Sequence, residues 1–235
     1  MSRRLFASLL AVTLLGAGCA NSAPASPAVT VNPPTPVKPF NCGPSTPPST
    51  MSSSTKLVFP GILPADQVDK KRICIKTTQG DMLIELDHTK GPRAASNFLS
   101  LTKSGFYNGT IFHRVIPGFM VQGGDPTGTG MGGPGYKFEN DDVTNLPEKE
   151  FNMQGQQFNA PYYADGVLAM ANAGRNTNGS QFFIMVADYP LPPDYSIFGR
   201  VVEGLDVAKK IAAMPRDYND RPNETVKMLS VTVQE

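Results

Sequence analysis

One stretch of the chain combines a cation, an amide and several bulky apolar side chains: Phe112-His113-Arg114-Val115-Ile116-Pro117-Gly118-Phe119-Met120-Val121-Gln122-Gly123-Gly124-Asp125. The proline and glycine in its middle predict a turn, with Arg114 before it and a strand after it. Strand alternation predicts that Phe119 and Val121 point to one face, and Met120 and Gln122 to the other. If that strand also walls a cleft, it presents an apolar floor edged by a guanidinium and an amide, which is the composition of a small binding site.

A second stretch of similar length follows about 45 residues later: Met170-Ala171-Asn172-Ala173-Gly174-Arg175-Asn176-Thr177-Asn178-Gly179-Ser180-Gln181-Phe182-Phe183-Ile184. The two stretches resemble the two signatures of the cyclophilin family of peptidyl-prolyl isomerases. The resemblance runs from about Ile73 to the C-terminus. It implies a mainly β fold, in which a closed eight-stranded antiparallel barrel is capped by two α-helices. It also implies peptidyl-prolyl cis-trans isomerase activity without a cofactor.

The pattern of short apolar segments predicts the same architecture independently. Strands are expected on both sides of the central turn and at residues 73–77, 82–86, 166–170, 181–186, 197–202 and 227–233. Helices are expected to begin at Pro92 and to cover residues 203–214, each with one apolar face. Many short strands with two helices favour a closed antiparallel barrel.

The resemblance also assigns roles to individual residues. It makes Arg114 the catalytic cation, because a guanidinium is always charged and carries several rigid donors. Taken singly, such an arginine is typical of a surface ion pair, and a phenylalanine in a strand is typical of plain core. The resemblance implies nine substrate-binding residues: Phe119, Met120, Gln122, Ala171, Asn172, Gln181, Phe183, Leu191 and Tyr195.

The chain departs from the family pattern between Asp188 and Phe198. Many members have tryptophan followed by leucine there, whereas this chain contains no tryptophan and has Tyr189-Pro190-Leu191. Tyr195 stands nearest to the place of a usual histidine, and it offers both an apolar face and a hydroxyl. We therefore expect activity to survive and a cyclosporin-type inhibitor to bind more weakly.

The first 19 residues have the pattern of an export signal. Arg3 and Arg4 precede an apolar run from Leu5 to Leu15, which is short for a membrane span. Gly16-Ala17-Gly18-Cys19 resembles a bacterial lipobox, so Cys19 is the expected lipidation site of an envelope lipoprotein. Plain cleavage and an uncleaved anchor are the alternatives, and the arginine pair also resembles a twin-arginine export motif.

The domain boundaries follow from composition. Residues 1–19 are the predicted signal, 20–65 a linker rich in Pro, Ser and Thr, and 66–235 the isomerase domain. A segment so poor in large apolar side chains is predicted to be a disordered, semi-rigid spacer, with a proline-rich ligand for a partner as the alternative. Lys56 to Val68 is more apolar and is expected to pack on the domain.

Cys42 and Cys74 are the two cysteines beyond the signal. Export permits disulfides, and Cys74 would share the outer face of its strand with Arg72 and Lys76. A Cys42–Cys74 bridge and two free thiols both remain open. No zinc site is expected, because neither histidine of the chain lies near a cysteine pair.

Charge and loop composition limit the partners. The net charge is +1 with no long basic run, which excludes a nucleic-acid footprint. Gly128-Thr129-Gly130-Met131-Gly132-Gly133 satisfies a dinucleotide pattern, but no helix is predicted after it, so a surface loop is expected. The expected partners are proline-containing unfolded or exported polypeptides, and the expected state is a monomer.

The sequence is also compatible with two other functions. One is a non-catalytic chaperone or adaptor that holds proline-containing segments, and the other is a structural surface protein that uses the barrel as a scaffold. The presence of Arg114 argues against a pure binder, which has no need of a cation directed at a twisted amide.

Overall fold

The computed structural model describes residues 41–43 and 56–234. Within these ranges the helices are α1 (Ala65–Val68), α2 (Pro92–Lys103) and α3 (Leu205–Ala212). The strands are β1 (Arg72–Thr77), β2 (Gly80–Leu86), β3 (Ile111–Ile116), β4 (Met120–Asp125), β5 (Glu148–Met153), β6 (Gln156–Tyr163), β7 (Val167–Met170), β8 (Phe182–Met185), β9 (Tyr189–Pro190), β10 (Ile197–Glu203) and β11 (Val226–Gln234).

Eight of these strands close into a barrel in the order β1-β11-β3-β4-β8-β7-β10-β2. Every neighbouring pair in the barrel is antiparallel. The predicted closed eight-stranded antiparallel barrel is thereby confirmed. Closure leaves no barrel strand with an unpaired edge.

The barrel interior is filled by apolar side chains from the strands and from α2. Phe112 from β3, Phe182 from β8 and Phe98 from α2 are fully buried, and Phe98 meets Phe182 edge to face at 5.2 Å. Burial of each such ring contributes roughly 1.5 to 3 kcal/mol. The strands that carry these core side chains also carry residues that point away from the core. The packed core therefore gives those outward residues a rigid support.

Helix α2 packs its apolar face on the barrel and is capped by a distant carboxylate. Pro92 occupies its first position, and Asp141 accepts hydrogen bonds from the N–H groups of Arg93 and Ala94 at 2.9 and 3.0 Å. Burial raises the pKa of Asp141, while these two bonds act in the opposite direction. The cap satisfies donors that a helix leaves unpaired at its start.

A three-stranded sheet that the sequence did not predict lies outside the barrel. Strands β5 and β6 form an antiparallel hairpin, and β9 pairs with the end of β6. The hairpin turn consists of Gln154 and Gly155, both with positive φ, at 54° and 82°. Most residues of the hairpin are exposed, so it adds little to the core.

The segment before β1 packs on the barrel, as expected for Lys56 to Val68. Leu57, Phe59 and Leu63 contact the core, and Phe59 stacks on Phe138 with ring centroids 4.8 Å apart. The part of the range 20–65 that the structure describes beyond residue 55 is therefore attached to the domain and is not a free spacer. The physical reason is its content of large apolar side chains.

A disulfide joins Cys42 to Cys74 on β1, with Cα atoms 6.0 Å apart. The N–H of Cys42 also donates to Asp81 Oδ2 at 3.0 Å, and Lys76 Nζ donates to the carbonyl of Gly43. Of the two alternatives left open by the sequence, the structure shows the bridge. Among the described residues, one group of three potential metal ligands lies close together, Cys42, Cys74 and Asp81, and its two sulfurs are bonded to each other.

The predicted signal, Cys19 and most of the predicted spacer lie outside the described residues. Among the helices of the described ranges, none is long and apolar enough to cross a membrane.

Candidate active site

The turn between β3 and β4 places the central cation beside the apolar side chains. Arg114 on β3 lies opposite Gln122 on β4 in the strand register. Phe119 belongs to the turn and not to β4, which begins at Met120. The alternation predicted for Phe119 and Met120 was therefore wrong, since both side chains line the same cleft.

The cleft has a volume of about 220 Å³. The structure brings nine of the ten predicted site residues together around it: Arg114, Phe119, Met120, Gln122, Ala171, Asn172, Phe183, Leu191 and Tyr195. They come from β3, the turn after it, β4, β8 and the segments that follow β7 and β9. Gln181 does not line the cleft itself.

The floor and walls of the cleft are apolar. Met120 and Phe183 are almost completely buried. Phe119 packs against Tyr189 with ring centroids 4.3 Å apart and ring planes inclined by 33°, and Phe183 meets Tyr195 edge to face at 5.5 Å. Rings fixed in this way form a narrow slot that suits a small apolar ring.

Gln181 lies behind the cleft and braces it. The side-chain oxygen Oε1 of Gln181 accepts a hydrogen bond from Gln122 Nε2 at 3.0 Å. Its side-chain Nε2 donates to the backbone carbonyls of Gly130 and Gly132, both at 2.9 Å. The two amides thus connect β4 to the loop after it. This orients Gln122 at the edge of the cleft.

The loop that satisfies the dinucleotide pattern is organised by one buried carboxylate. Asp125 accepts hydrogen bonds from backbone N–H groups of Thr127, Thr129, Gly130 and Gly132. Burial raises the pKa of Asp125, but these bonds outweigh it and bring the pKa to about 2. The described residues directly after the loop form bends and an isolated bridge at Phe138 and not a helix, and the residues of the loop other than Gly128 are exposed or half-buried, so the expectation of a surface loop is confirmed.

Ala171 and Asn172 form part of the cleft wall. The N–H of Ala171 donates to the carbonyl of Gln181 at 3.0 Å, so its carbonyl is the group left for a bound chain. The side chain of Asn172 donates to the carbonyl of Asp194 at 2.9 Å. That bond fixes the segment between β9 and β10 against the wall.

Two residues of the site carried no signal in the sequence. Tyr163 is buried under Tyr195, and its hydroxyl donates to the Tyr195 carbonyl at 3.0 Å and accepts from the Tyr195 N–H at 3.1 Å. Burial raises the pKa of Tyr163 strongly. Asp220, from the loop before β11, lies 3.5 Å from Arg114, measured from Oδ2 to Nε. Neither residue belongs to a recognisable motif, because only the closed barrel brings them to the cleft.

The neighbour of the arginine on β3 is kept neutral. Burial lowers the pKa of His113, and Arg221 and Arg114 act in the same direction, while Asp125 raises it. A neutral imidazole at this place leaves Arg114 as the positive charge at the cleft edge.

Comparison with known proteins adds independent evidence. Residues 72–233 match the family described as cyclophilin type peptidyl-prolyl cis-trans isomerase/CLD. The peptidyl-prolyl cis-trans isomerase-like 1 of Gibberella zeae is 43% identical over 167 residues, which cover 69% of this chain and 94% of that protein. The peptidyl-prolyl cis-trans isomerase ppi1 of Schizosaccharomyces pombe is 45% identical over 162 residues, covering 66% of this chain and 94% of the relative.

A solved structure shows the same fold. The crystal structure of a cyclophilin type peptidyl-prolyl cis-trans isomerase from Cryptosporidium parvum, determined in the presence of the dipeptide Ala-Pro, is 35% identical. It aligns with a TM-score of 0.60 over 70% of this chain and 99% of that one. The matched family region begins at Arg72, so the N-terminal residues lie outside it.

Proposed function

We propose that this chain, which belongs to the cyclophilin-type peptidyl-prolyl cis-trans isomerase family, catalyses rotation about the peptide bond before proline in exported polypeptides. The observation that carries the proposed mechanism is the position of Arg114 at the edge of an apolar slot formed by Phe119, Met120 and Phe183. The family membership supports the type of reaction, and the geometry of the cleft supports the role proposed for each residue.

The reaction requires no nucleophile. An amide before proline rotates over a barrier of about 20 kcal/mol, because the nitrogen lone pair is delocalised into the carbonyl. As the bond twists, conjugation is lost and the lone pair becomes localised on a pyramidal nitrogen. A group that interacts with this nitrogen only in the twisted state stabilises the transition state and not the ground state.

Arg114 is suited to that task. Its guanidinium is permanently charged and carries several rigid donors, which can reach both the proline nitrogen and the preceding carbonyl oxygen. The side chain is 43% exposed, so it is available to a bound substrate. In this role Arg114 is the catalytic residue, and no other charged side chain is required at the reacting atoms.

The apolar slot and its rim hold the substrate while the bond rotates. Phe119, Met120, Phe183 and Leu191 receive the proline ring, with Tyr195 as the outer wall. Gln122, the carbonyl of Ala171 and the backbone of Asn172 hold the flanking chain. Fixing both sides of the bond restricts motion to the rotation itself.

The test compares wild type with Arg114→Ala on a short X-Pro peptide. Loss of one transition-state donor reduces kcat/KM by about 100-fold or more, on the scale seen for oxyanion-hole donors. Arg200→Ala is the matched control, since Arg200 is an exposed arginine paired with Glu85 on the barrel. Equal rates for Arg114→Ala and wild type would remove the catalytic role and favour the rival function of a non-catalytic binder.

The proposed setting is the cell envelope. The pattern of residues 1–19 supports export, with Cys19 as a lipid anchor of a bacterial lipoprotein. The Cys42–Cys74 disulfide supports an oxidising compartment, because disulfides persist there and are rare in a reducing cytosol.

Intact mass of the protein isolated from its natural host tests the setting. A mature chain beginning at Cys19 with a diacylglyceryl group supports the anchored form, and an unmodified new N-terminus supports simple secretion. A chain that retains Met1 and has free thiols would contradict export.

A further inference from the structure

The loop before β11 brings a carboxylate to the catalytic arginine. Asp220 lies beside Arg114 with Oδ2 3.5 Å from Nε, and its side chain is 30% exposed. The contact is made at Nε, on the side of the guanidinium nearest its own backbone. The two terminal nitrogens therefore remain for the cleft that Arg114 lines.

The backbone of this loop is fixed to the strand that carries the arginine. The carbonyl of Asp220 accepts the N–H of Val115, the next residue after Arg114, at 2.8 Å. Asp217 Oδ1 accepts the N–H groups of Asn219 and Arg221 at 2.8 and 3.0 Å and so closes the turn. The carboxylate is thus held at a set position relative to β3.

Asp220 also adopts a backbone conformation that most residues avoid. Its φ is 62°, in the left-handed region that disfavours side chains other than those of Asn and Asp. Such conformations persist where surrounding bonds impose them, and they occur often at functional sites. Here the consequence is that the side chain is directed at Arg114.

A second arginine shares the carboxylate. Arg216 Nε lies 3.1 Å from Asp220 Oδ1, while Oδ2 faces Arg114. Arg216 therefore orients the carboxylate and takes part of its charge. Because its contact with Arg114 is made at Nε, Asp220 restrains the catalytic guanidinium without using its terminal donors.

We propose that Asp220 is a positioning residue for the isomerisation: it holds Arg114 through Nε and so directs the terminal nitrogens of the guanidinium at the amide in the cleft. This inference rests on the proposed function of Arg114. An unrestrained arginine explores many rotamers, and its restriction before the substrate binds removes an entropic cost from the transition state. We therefore expect the loss of the Asp220 carboxylate to change kcat more than KM.

The decisive variant is Asp220→Asn. Asparagine tolerates the left-handed conformation and has nearly the same shape, so the loop is preserved while the charge is removed. With a short X-Pro peptide we expect kcat to fall by about tenfold, a modest share of the loss that misplacement of a catalytic group can cause. KM and the urea midpoint should stay close to wild type. Asp206→Asn is the control, because Asp206 is an exposed aspartate in the first turn of α3.

A double-mutant cycle separates positioning from a general structural role. If Asp220 acts through Arg114, then Asp220→Asn should produce no further loss of kcat in the Arg114→Ala background. Wild-type kcat for Asp220→Asn, or an equal loss in both backgrounds, would overturn the assignment while leaving the role of Arg114 intact. Wild-type activity of Arg114→Ala would overturn both.

Discussion

Tyr163 acts on the cleft from behind its lining. Its hydroxyl makes two hydrogen bonds to the backbone of Tyr195, which forms the outer wall. Tyr163→Phe leaves that N–H and carbonyl without their partner, which costs about 1 to 3 kcal/mol. We expect a lower urea midpoint and a higher KM for an X-Pro peptide. Tyr218→Phe, at an almost fully exposed position, should change neither, and an unaltered KM in Tyr163→Phe would contradict this role.

The lowered pKa of Asp125 predicts that the stability of the protein depends on pH. Its carboxyl is fully buried, and its pKa of about 2 lies below the ordinary value of 3.8. A lowered pKa in the folded state means that the carboxylate stabilises the protein above about pH 4, and that this contribution is lost as the pH falls towards 2. At pH 7 Asp125→Asn should therefore unfold more easily, by up to roughly 2.5 kcal/mol.

Urea titrations of wild type and Asp125→Asn at pH 7, 4 and 2.5 measure that difference. It should be nearly the same at pH 7 and pH 4 and clearly smaller at pH 2.5, because the carboxyl of the unfolded chain becomes protonated below its ordinary pKa of 3.8 while the folded one stays ionised until the pH approaches 2. A difference that stays constant with pH would show that shape, and not charge, accounts for the effect.

Some residues of the cleft could be predicted from the sequence, and others could not. Arg114 and Phe183 lie in two long stretches of recognisable pattern, so their proximity was expected. Phe119 was placed on the wrong face by strict alternation, because one residue of turn shifts the register. Asp220 and Tyr163 could not be found, since an ion pair or hydroxyl contact made through the tertiary fold leaves no local spacing in the sequence.

At the scale of elements, the hairpin of β5 and β6 is separable from the barrel. Glu148 and Pro161 face each other in register, so residues 149–160 can be replaced by a two-residue Asn-Gly turn. The replacement removes one surface ion pair, Lys149 with Asp188, and exposed pairs of this kind contribute little to stability. We expect unchanged activity on a short peptide and a similar urea midpoint. A large fall in either would show that the hairpin supports the cleft through β9.

The same hairpin shows why some elements were missed. The barrel strands are short runs of mostly buried and largely apolar residues, and such runs predict strands well. Strand β5 instead reads Glu-Lys-Glu-Phe-Asn-Met, with few β-branched residues, and is exposed on both faces. Its turn uses Gln154 before Gly155, in place of the Asn-Gly or Asp-Gly pairs that predict a hairpin. Helix α3 is shorter than the expected 203–214, since Gly204 adopts a left-handed φ of 79° and delays its start.

The Cys42–Cys74 disulfide stabilises the molecule as a whole, because it closes a loop between two cysteines that are 32 residues apart in the sequence. A loop of that length is expected to stabilise the folded state by about 3 to 4 kcal/mol, mainly by restricting the unfolded chain. Urea unfolding with and without reductant measures this value, and Cys42→Ser/Cys74→Ser should match the reduced protein. Short-peptide activity should be unchanged. An identical midpoint in both conditions would contradict the prediction.

The bond between Cys42 and Cys74 has a mechanical consequence. Any tension applied to the chain ahead of Cys42 passes through the sulfur atoms directly into β1, which is paired on both sides by β2 and β11. The residues from 43 to 73 are bypassed and bear no load. If the N-terminus is held at a surface, pulling therefore acts on a covalently clamped strand in the barrel wall, and the peripheral packing of Leu57, Phe59 and Leu63 is spared as long as the sulfurs stay oxidised.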